Sequence, residues 1–167
     1  MDFINIKNCL RLFTKLYFFI ILGLILITQF ACSNSEICLS NQHAVQVGIV
    51  KKLATSDKDT LIDSISVYGV NLQNDSIYKN EKLSKLFLPL SFTHDTTSFV
   101  FTKGTIKDTI LFVHSKELDF ISGECGYVFK FSLDTIICSK HYVDSVAIAY
   151  PNINYNEVIR NVKIYID

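Results

Sequence analysis

Cys32 stands where an apolar run ends and a polar stretch begins, and its position suggests covalent modification. The run from Leu16 to Ala31 carries no charge. Four charged residues precede it: Asp2, Lys7, Arg11 and Lys15. A basic start, an apolar centre and a small residue before the cleavage site are typical of a secretory signal. Ala31–Cys32 therefore predicts a lipobox, in which the Cys32 thiol takes a diacylglyceryl group and cleavage follows Ala31.

The alternative is an uncleaved membrane helix in which Cys32 is an ordinary residue. A membrane-spanning helix needs about 20 apolar residues, and this run is shorter and is weakened by Thr28 and Gln29. Gln29 and Phe30 also depart from the usual lipobox pattern. We predict a lipoprotein signal peptide over 1–31 and a lipidated tether over 32–42. Two or three acyl chains, palmitate among them, would hold the protein on a membrane.

The charge of the chain argues against nucleic acid as a partner. The chain has 16 basic and 16 acidic residues, and removal of residues 1–31 takes away three basic residues and one acidic one, which leaves about −2. No basic stripe or block of like charge remains. Because binding to nucleic acid depends on neutralising phosphates with Lys and Arg, we expect no such partner.

Five cysteines divide by position. Cys9 leaves with the signal and Cys32 carries lipid. Cys38, Cys125 and Cys138 would stay in an oxidising compartment, where disulfides persist. Three thiols make one bridge and one free cysteine, and the sequence alone leaves all three pairings open.

Metal binding has only weak signals, and we predict no metal site and no cofactor. Cys138 and His141 make half of a zinc motif, whereas structural zinc sites show two paired short spacings. The spacing of Asp57 and Asp59 lacks the rest of a calcium loop, so these residues are interpreted as part of a solvated turn. The other histidines are scattered: His43, His94 and His114.

Apolar and polar residues alternate with period two through most of residues 43–167. Residues 98–103 and 108–114 flank a turn at Gly104, which is typical of a hairpin. Residues 118–122 predict a further strand, and residues 161–167 predict a last one with Val162, Ile164 and Ile166 inward. Pro89 lies in an alternating stretch and removes a backbone donor, which favours an edge strand. Short strands separated by turn signals predict an all-β, antiparallel sandwich, immunoglobulin-like, with eight or nine strands.

Three stretches near the C-terminal end resemble a known family. They are "SGECGYVFKFSLDTI", "VDSVAIAYPNI" and "NVKIYI". The sequence is similar to small lipoproteins of Bacteroidota catalogued as a domain of unknown function, the 6452 family. The matching features are Cys32, Cys38, Cys125–Gly126, Asp144–Val146 and Val162–Tyr165. The resemblance implies a Cys38–Cys125 disulfide, a free Cys138 and a cell-envelope location, and it implies no activity.

Catalytic motifs of the common hydrolase, metalloprotease and nucleotide-binding types are missing from the sequence, so we predict no enzyme. The sequence favours a binding or structural module for an envelope protein or a glycan. Five tyrosines either form an exposed aromatic binding surface or pack within the sheets in the ordinary way: Tyr68, Tyr127, Tyr142, Tyr150 and Tyr165. The alternative is a small periplasmic enzyme that uses an acidic cluster of Glu117, Asp119 and Glu124. Strand alternation predicts that Glu117 and Asp119 share one face. The short polar start after Cys32 favours the periplasmic side of a membrane, the outer membrane above all.

Overall fold

In a computed structural model of the chain, the residues described are 15–18, 20–23, 44–53 and 56–166. The chain divides into two compact units, Met1–Glu36 and Ile37–Asp167. In the first, residues 15–18 and 20–23 are helical. Among the described residues, no helix is long and apolar enough to cross a membrane. The predicted boundaries at 31 and 42 lie outside the described residues and stay predictions.

The second unit is built from strands, as predicted for an all-β fold. Its described part contains eleven strands: β1 (Ala44–Lys52), β2 (Asp57–Asp59), β3 (Ile62–Gly69), β4 (Tyr78–Leu83), β5 (Lys85–Pro89), β6 (Thr96–Lys103), β7 (Ile106–Ser122), β8 (Gly126–Cys138), β9 (Val143–Ile148), β10 (Asn152–Ile153) and β11 (Val162–Ile166). The prediction of eight or nine was too low. Two of the additional strands, β2 and β10, are too short for a period-two pattern to reveal.

Sheet 1 has the order β2–β1–β11–β9, and β5 also pairs with β1. The pairing of β1 with β11 is parallel, with Val47 opposite Val162 and Ile49 opposite Ile164. The prediction of a wholly antiparallel fold was therefore wrong for this pair. Alternation along a strand fixes which residues share a face but carries no information about the direction of the neighbouring strand. Pro89 lies in β5, which pairs with β1 along one edge, as predicted.

The start of the parallel pair is fixed by Asn161, a buried polar residue. Its side-chain oxygen accepts a hydrogen bond from the Gln46 backbone amide at 3.0 Å. Its side-chain nitrogen donates to the carbonyl oxygens of Tyr150 and Asn152. Because buried amides are costly unless paired, these contacts hold β1, β11 and the chain between β9 and β10 in one register.

Sheet 2 has the order β10–β8–β7–β6–β3–β4, and every pairing in it is antiparallel. β6 and β7 form the predicted hairpin around Gly104, whose φ of 59° suits glycine. β7 is one strand of 17 residues, although the sequence suggested separate strands over 108–114 and 118–122. The β7–β8 hairpin runs from Ile110 opposite Cys138 to Ser122 opposite Gly126.

The two sheets share one hydrophobic core. Sheet 1 contributes alternate residues of β1 and β11, such as Val47 and Ile164, and sheet 2 contributes Ile110 and Phe112 of β7. The arrangement is two sheets that bury side chains against each other. The immunoglobulin-like topology within this class stays a prediction.

Asp57 and Asp59 are exposed, as the interpretation of a solvated segment predicted, but they form a strand and not a turn. Both lie in β2, where Asp57 accepts hydrogen bonds from Lys163 and Tyr165 at 2.8 and 2.9 Å. Asp59 accepts one from Arg160 at 2.8 Å. Partners on β11 and just before it, more than 100 residues away, order the segment, and local composition could not reveal them.

The five tyrosines do not form one exposed face. Tyr68 is buried, with its hydroxyl 3.4 Å from that of Thr102 on the neighbouring strand. Tyr127 is exposed, and Tyr142, Tyr150 and Tyr165 are half-buried. Of the two alternatives that the sequence left open, ordinary packing holds for Tyr68, whereas Tyr127 is exposed.

Candidate functional site

The residues predicted to be lipidated or cleaved, Ala31 and Cys32, lie outside the described residues, as does Cys38. Cys125 lies in the turn of the β7–β8 hairpin and is disulfide-bonded. Its pairing with Cys38 stays a prediction. Cys138 is a free thiol, and burial raises its pKa. A raised pKa keeps the thiol protonated at neutral pH and makes it a poor nucleophile.

The acidic cluster does not converge on one point. Glu117 and Asp119 lie two residues apart on β7, as the sequence indicated. Asp119 forms an ion pair with Lys130 of β8 at 2.7 Å. Glu124 lies in the hairpin turn beyond Ser122. The Lys130 ammonium therefore neutralises one carboxylate of the supposed acid pair.

A polar groove of about 430 Å³ opens beside Glu117. Its lining residues come from β7, β8 and the chain around β10: Ser115, Lys116, Glu117, Lys130, Phe131, Ser132, Asn152 and Asn154. Ser115, Ser132 and Asn152 are successive cross-strand partners. Their neighbours Phe131 and Ile153 are buried in the core. Because side chains alternate across a strand, the row of Ser115, Ser132 and Asn152 faces away from the core.

The groove carries hydroxyl, amide, carboxylate and ammonium groups. The Ser132 hydroxyl lies 3.5 Å from Asn152 Oδ1, and Asn154 Nδ2 donates to Glu157 at 2.8 Å. Such groups form hydrogen bonds with polar ligands, and several of them converge on one shallow surface. The sequence signal was the run of polar residues at alternate positions on β7 and β8, but nothing showed that β10 would complete the row.

The β7–β8 hairpin ends in three exposed apolar side chains, Leu118, Phe120 and Tyr127, which we call the hairpin tip. Phe120 and Tyr127 are cross-strand partners, with ring centroids 5.2 Å apart in an edge-to-face arrangement. The three side chains are 60%, 56% and 66% exposed. Exposed apolar groups gathered at one place are unusual on a soluble surface and indicate a contact with something else.

Asp108 is a buried carboxylate that sequence reasoning missed. It accepts hydrogen bonds from the Ser139 hydroxyl and from the backbone amides of His141, Tyr142 and Val143, at 2.7–2.9 Å. Burial alone would raise its pKa, but these donors outweigh it and hold the Asp108 pKa well below its usual range. The carboxylate fixes the chain between β8 and β9, and this role is structural.

His114 is buried, and among the residues that the structure describes its imidazole Nδ1 has no hydrogen-bond partner. Its Nε2 lies 2.9 Å from the Thr97 hydroxyl oxygen, and its ring packs edge-to-face on Phe131 at 5.3 Å. Burial, followed by the charge of Lys116, lowers the His114 pKa, while Asp95 and Asp134 oppose them. The ring is therefore held neutral inside the core.

The half-motif of Cys138 and His141 is not part of a metal site in the described part of the chain. His141 lies against Asp108 instead, with its imidazole Nδ1 3.1 Å from the carboxylate. Within the described residues, no group of three His, Cys, Asp or Glu side chains could hold a metal ion.

The fold and its surface define an all-β domain of two sheets with a polar groove on one outer face. A family of unknown function, DUF6452, matches residues 64–166, from within β3 to the end of β11. The chain belongs to this family, which confirms the family named from the sequence; its description as a lipoprotein of Bacteroidota stays a prediction. Neither a curated protein nor a solved structure matches the chain.

Proposed function

We propose that the protein is a lipid-anchored component of the bacterial cell envelope whose β domain is a non-catalytic binding or structural module. Lipid on Cys32 would hold it on a membrane, with the outer membrane favoured and the domain in the periplasm. The apolar run before Ala31–Cys32 supports the anchor. The domain would meet an envelope protein or a glycan, and no cofactor is needed.

The observation that carries the binding role is the row of Ser115, Ser132 and Asn152 in the polar groove. These side chains face outward, whereas their neighbours fill the core. Uncharged hydroxyl and amide groups beside Lys130 and Glu117 suit a partner rich in hydrogen-bonding groups, such as a glycan or a polar loop of a protein.

The binding role is tested by photo-crosslinking in cells. A photoreactive residue replaces Asn152 in the groove, and the matched control replaces Lys79, which is exposed on β4 at the far side of the same sheet. We expect one reproducible crosslinked partner from position 152 and none from position 79. The same products from both positions, or none from position 152, would contradict a binding role for the groove.

The anchor is tested by metabolic labelling with an alkyne analogue of palmitate. Cys32→Ser should lose the label, and the matched control Cys138→Ser should keep it. Inhibition of the lipoprotein signal peptidase should leave a larger precursor. Label that persists in Cys32→Ser would contradict lipidation at this residue.

Two finer features belong to the same proposal. We infer an immunoglobulin-like sandwich from two facing sheets and short strands. We also infer a Cys38–Cys125 disulfide, which the family resemblance and the bonded state of Cys125 support. Peptide mapping without reductant should recover the Cys38 and Cys125 peptides joined, and a Cys125 peptide joined to any other cysteine would refute this pairing.

The alternative is a small periplasmic enzyme that uses the acidic cluster near Glu117–Glu124. Its supporting observation is that Glu117 lines the groove. General acid–base work needs a second group within reach of the substrate, and Asp119 is already paired with Lys130. Hydrolysis of envelope glycans by the wild type, lost in Glu117→Gln and kept in Glu124→Gln, would favour this alternative over the binding role.

A further inference from the structure

We propose that the hairpin tip lies in the interfacial region of the membrane to which the protein is anchored, with Leu118, Phe120 and Tyr127 among the lipid headgroups. This inference rests on the proposed lipid anchor at Cys32. It assigns a second, non-covalent contact between the β domain and the lipid surface.

The hairpin tip has the shape and polarity that such a contact needs. Phe120 and Tyr127 stand opposite each other, and Leu118 precedes Phe120 by two residues, so all three project from the same face. The ion pair of Asp119 and Lys130 involves the opposite face of the same two strands. The end of the hairpin is therefore amphipathic, with an exposed apolar face and a charged one.

Polar groups next to the hairpin tip limit how deeply it enters. The Asp119–Lys130 ion pair lies on the other face of the same two strands, and moving charged or polar groups into hydrocarbon is costly. The hairpin tip therefore stays at headgroup level. Aromatic side chains are enriched at this level of a bilayer.

The chain length favours a lipid surface over a protein as the occupant. Cys125 lies in the turn between Phe120 and Tyr127 and is disulfide-bonded. With Cys38 as its partner, five residues separate the disulfide from the acylated Cys32, and the six Cα-to-Cα steps between the two cysteines span about 20 Å at most. The disulfide would therefore restrict the hairpin tip to the vicinity of the bilayer that holds the acyl chains.

The chain contains no tryptophan, so a single introduced indole reports on its own surroundings. Phe120→Trp places the probe at the hairpin tip, and Val158→Trp, at an even more exposed apolar position before β11, is the matched control. The full-length lipidated protein is reconstituted into vesicles of phosphatidylethanolamine and phosphatidylglycerol. Circular dichroism checks that each variant folds, and Tyr127→Trp replaces Phe120→Trp if the latter does not.

We expect the tip indole to emit at shorter wavelength in vesicles than in detergent-free buffer, and to lose fluorescence when brominated lipids are used. The control indole should show neither change. Leu118→Ser combined with Phe120→Trp should reduce the quenching. A tip indole that keeps the emission wavelength of a water-exposed side chain in vesicles would overturn the inference. A change in its emission on addition of an envelope protein would not restore it.

Intact-mass measurement of the same samples separates this inference from the proposed function. An acylated protein with an unquenched tip indole overturns the membrane contact alone. A protein without acyl chains overturns both, because the inference rests on the anchor. Quenching in the acylated Phe120→Trp protein, together with a silent control, supports both.

Discussion

The two ends of the β7–β8 hairpin follow the same alternating pattern and differ completely in exposure. At the base, Ile110 and Phe112 are fully buried in the core. At the hairpin tip, Leu118 and Phe120 continue the same row and are mostly exposed. The strands are continuous between the two ends, so neither secondary structure nor hydrophobicity explains the contrast.

The difference lies in what covers the row. At the base, residues of sheet 1 such as Val47 and Ile164 belong to the same buried cluster. Leu118, Phe120 and Tyr127 are outside that cluster. Alternation thus establishes which side chains share a face. Whether that face is shielded from water depends on the other sheet, which covers the base of the hairpin and not its tip. Substitutions along the hairpin should therefore differ in their effect on stability from base to tip.

The largest effect is expected for Phe112→Ala at the base. Phe112 is fully buried and packs edge-to-face on Phe99 at 6.0 Å, so truncation should cost about 3–5 kcal/mol in free energy of unfolding. Phe120→Ala at the hairpin tip should change it by about 0.5 kcal/mol or less. Urea denaturation of both variants measures the difference. Similar losses would show that the hairpin tip is covered within the protein itself.

The second-largest loss of stability is expected for substitution of Asp108, near the start of the same hairpin. Asp108→Asn replaces one acceptor oxygen with a donor amide that faces backbone amides, and we expect a loss of about 2–4 kcal/mol. The pKa of Asp108 is lowered in the folded state, so its contribution is present above the unfolded pKa near 4 and is lost as the pH falls further.

Acid denaturation measures this contribution directly. The wild type should lose stability below about pH 4, and the Asp108→Asn variant should show a shallower slope there. Asp119→Asn is the control, because its exposed pair with Lys130 contributes little. Parallel slopes in wild type and Asp108→Asn would contradict the structural role assigned to the carboxylate.

His114, midway along β7, should show a smaller effect at milder pH. Its pKa is lowered in the folded state, so below about pH 6.5 the unfolded chain binds a proton that the folded chain does not. Stability should therefore fall as the pH falls, by at most about 1.4 kcal/mol per unit. His114→Phe should abolish this slope, although it loses the bond to Thr97. Chemical denaturation at pH 7.5 and 5.5 tests it, and an unchanged slope would place the titration elsewhere.

The smallest effect belongs to the charged face of the hairpin near its tip. Lys130→Gln breaks the pair with Asp119, whose side chains are both more than a third exposed. We expect a loss of less than about 1 kcal/mol that shrinks further in high salt. A salt-insensitive loss larger than that of Asp108→Asn would mean that this face is buried against another part of the protein.

Much of the fold could be predicted from the sequence, because period-two alternation is a local signal. It located the strands of the β6–β7 hairpin and the inward row of Val162, Ile164 and Ile166. The missing backbone donor of Pro89 separately predicted an edge strand. The parallel partner of β1 could not be predicted, since direction depends on a contact more than 100 residues away.

The candidate site was harder to predict. Glu117 and Asp119 were correctly placed on one strand, but the pairing of Asp119 with Lys130 depends on the fold. Asn152 completes the polar row of the groove, but it lies in a two-residue strand, which is too short to show an alternating pattern in the sequence. The burial of Asp108 and His114 was equally hidden, because polar residues give no sequence signal that distinguishes a buried partner from a solvated one.

The parallel pairing of β1 with β11 also determines the order in which the domain can form. The centre of sheet 1 joins the first strand of the domain to the last, so loop closure must span nearly the whole domain before Val47 meets Val162. Contacts of such sequence separation form late and slow folding. The hairpins of sheet 2 between β3 and β8 join strands that are close in sequence and can form first, whereas the centre of sheet 1 needs residues 162–166. A chain shortened before β11 would leave the apolar face of β1 without this partner, so we expect it not to complete sheet 1.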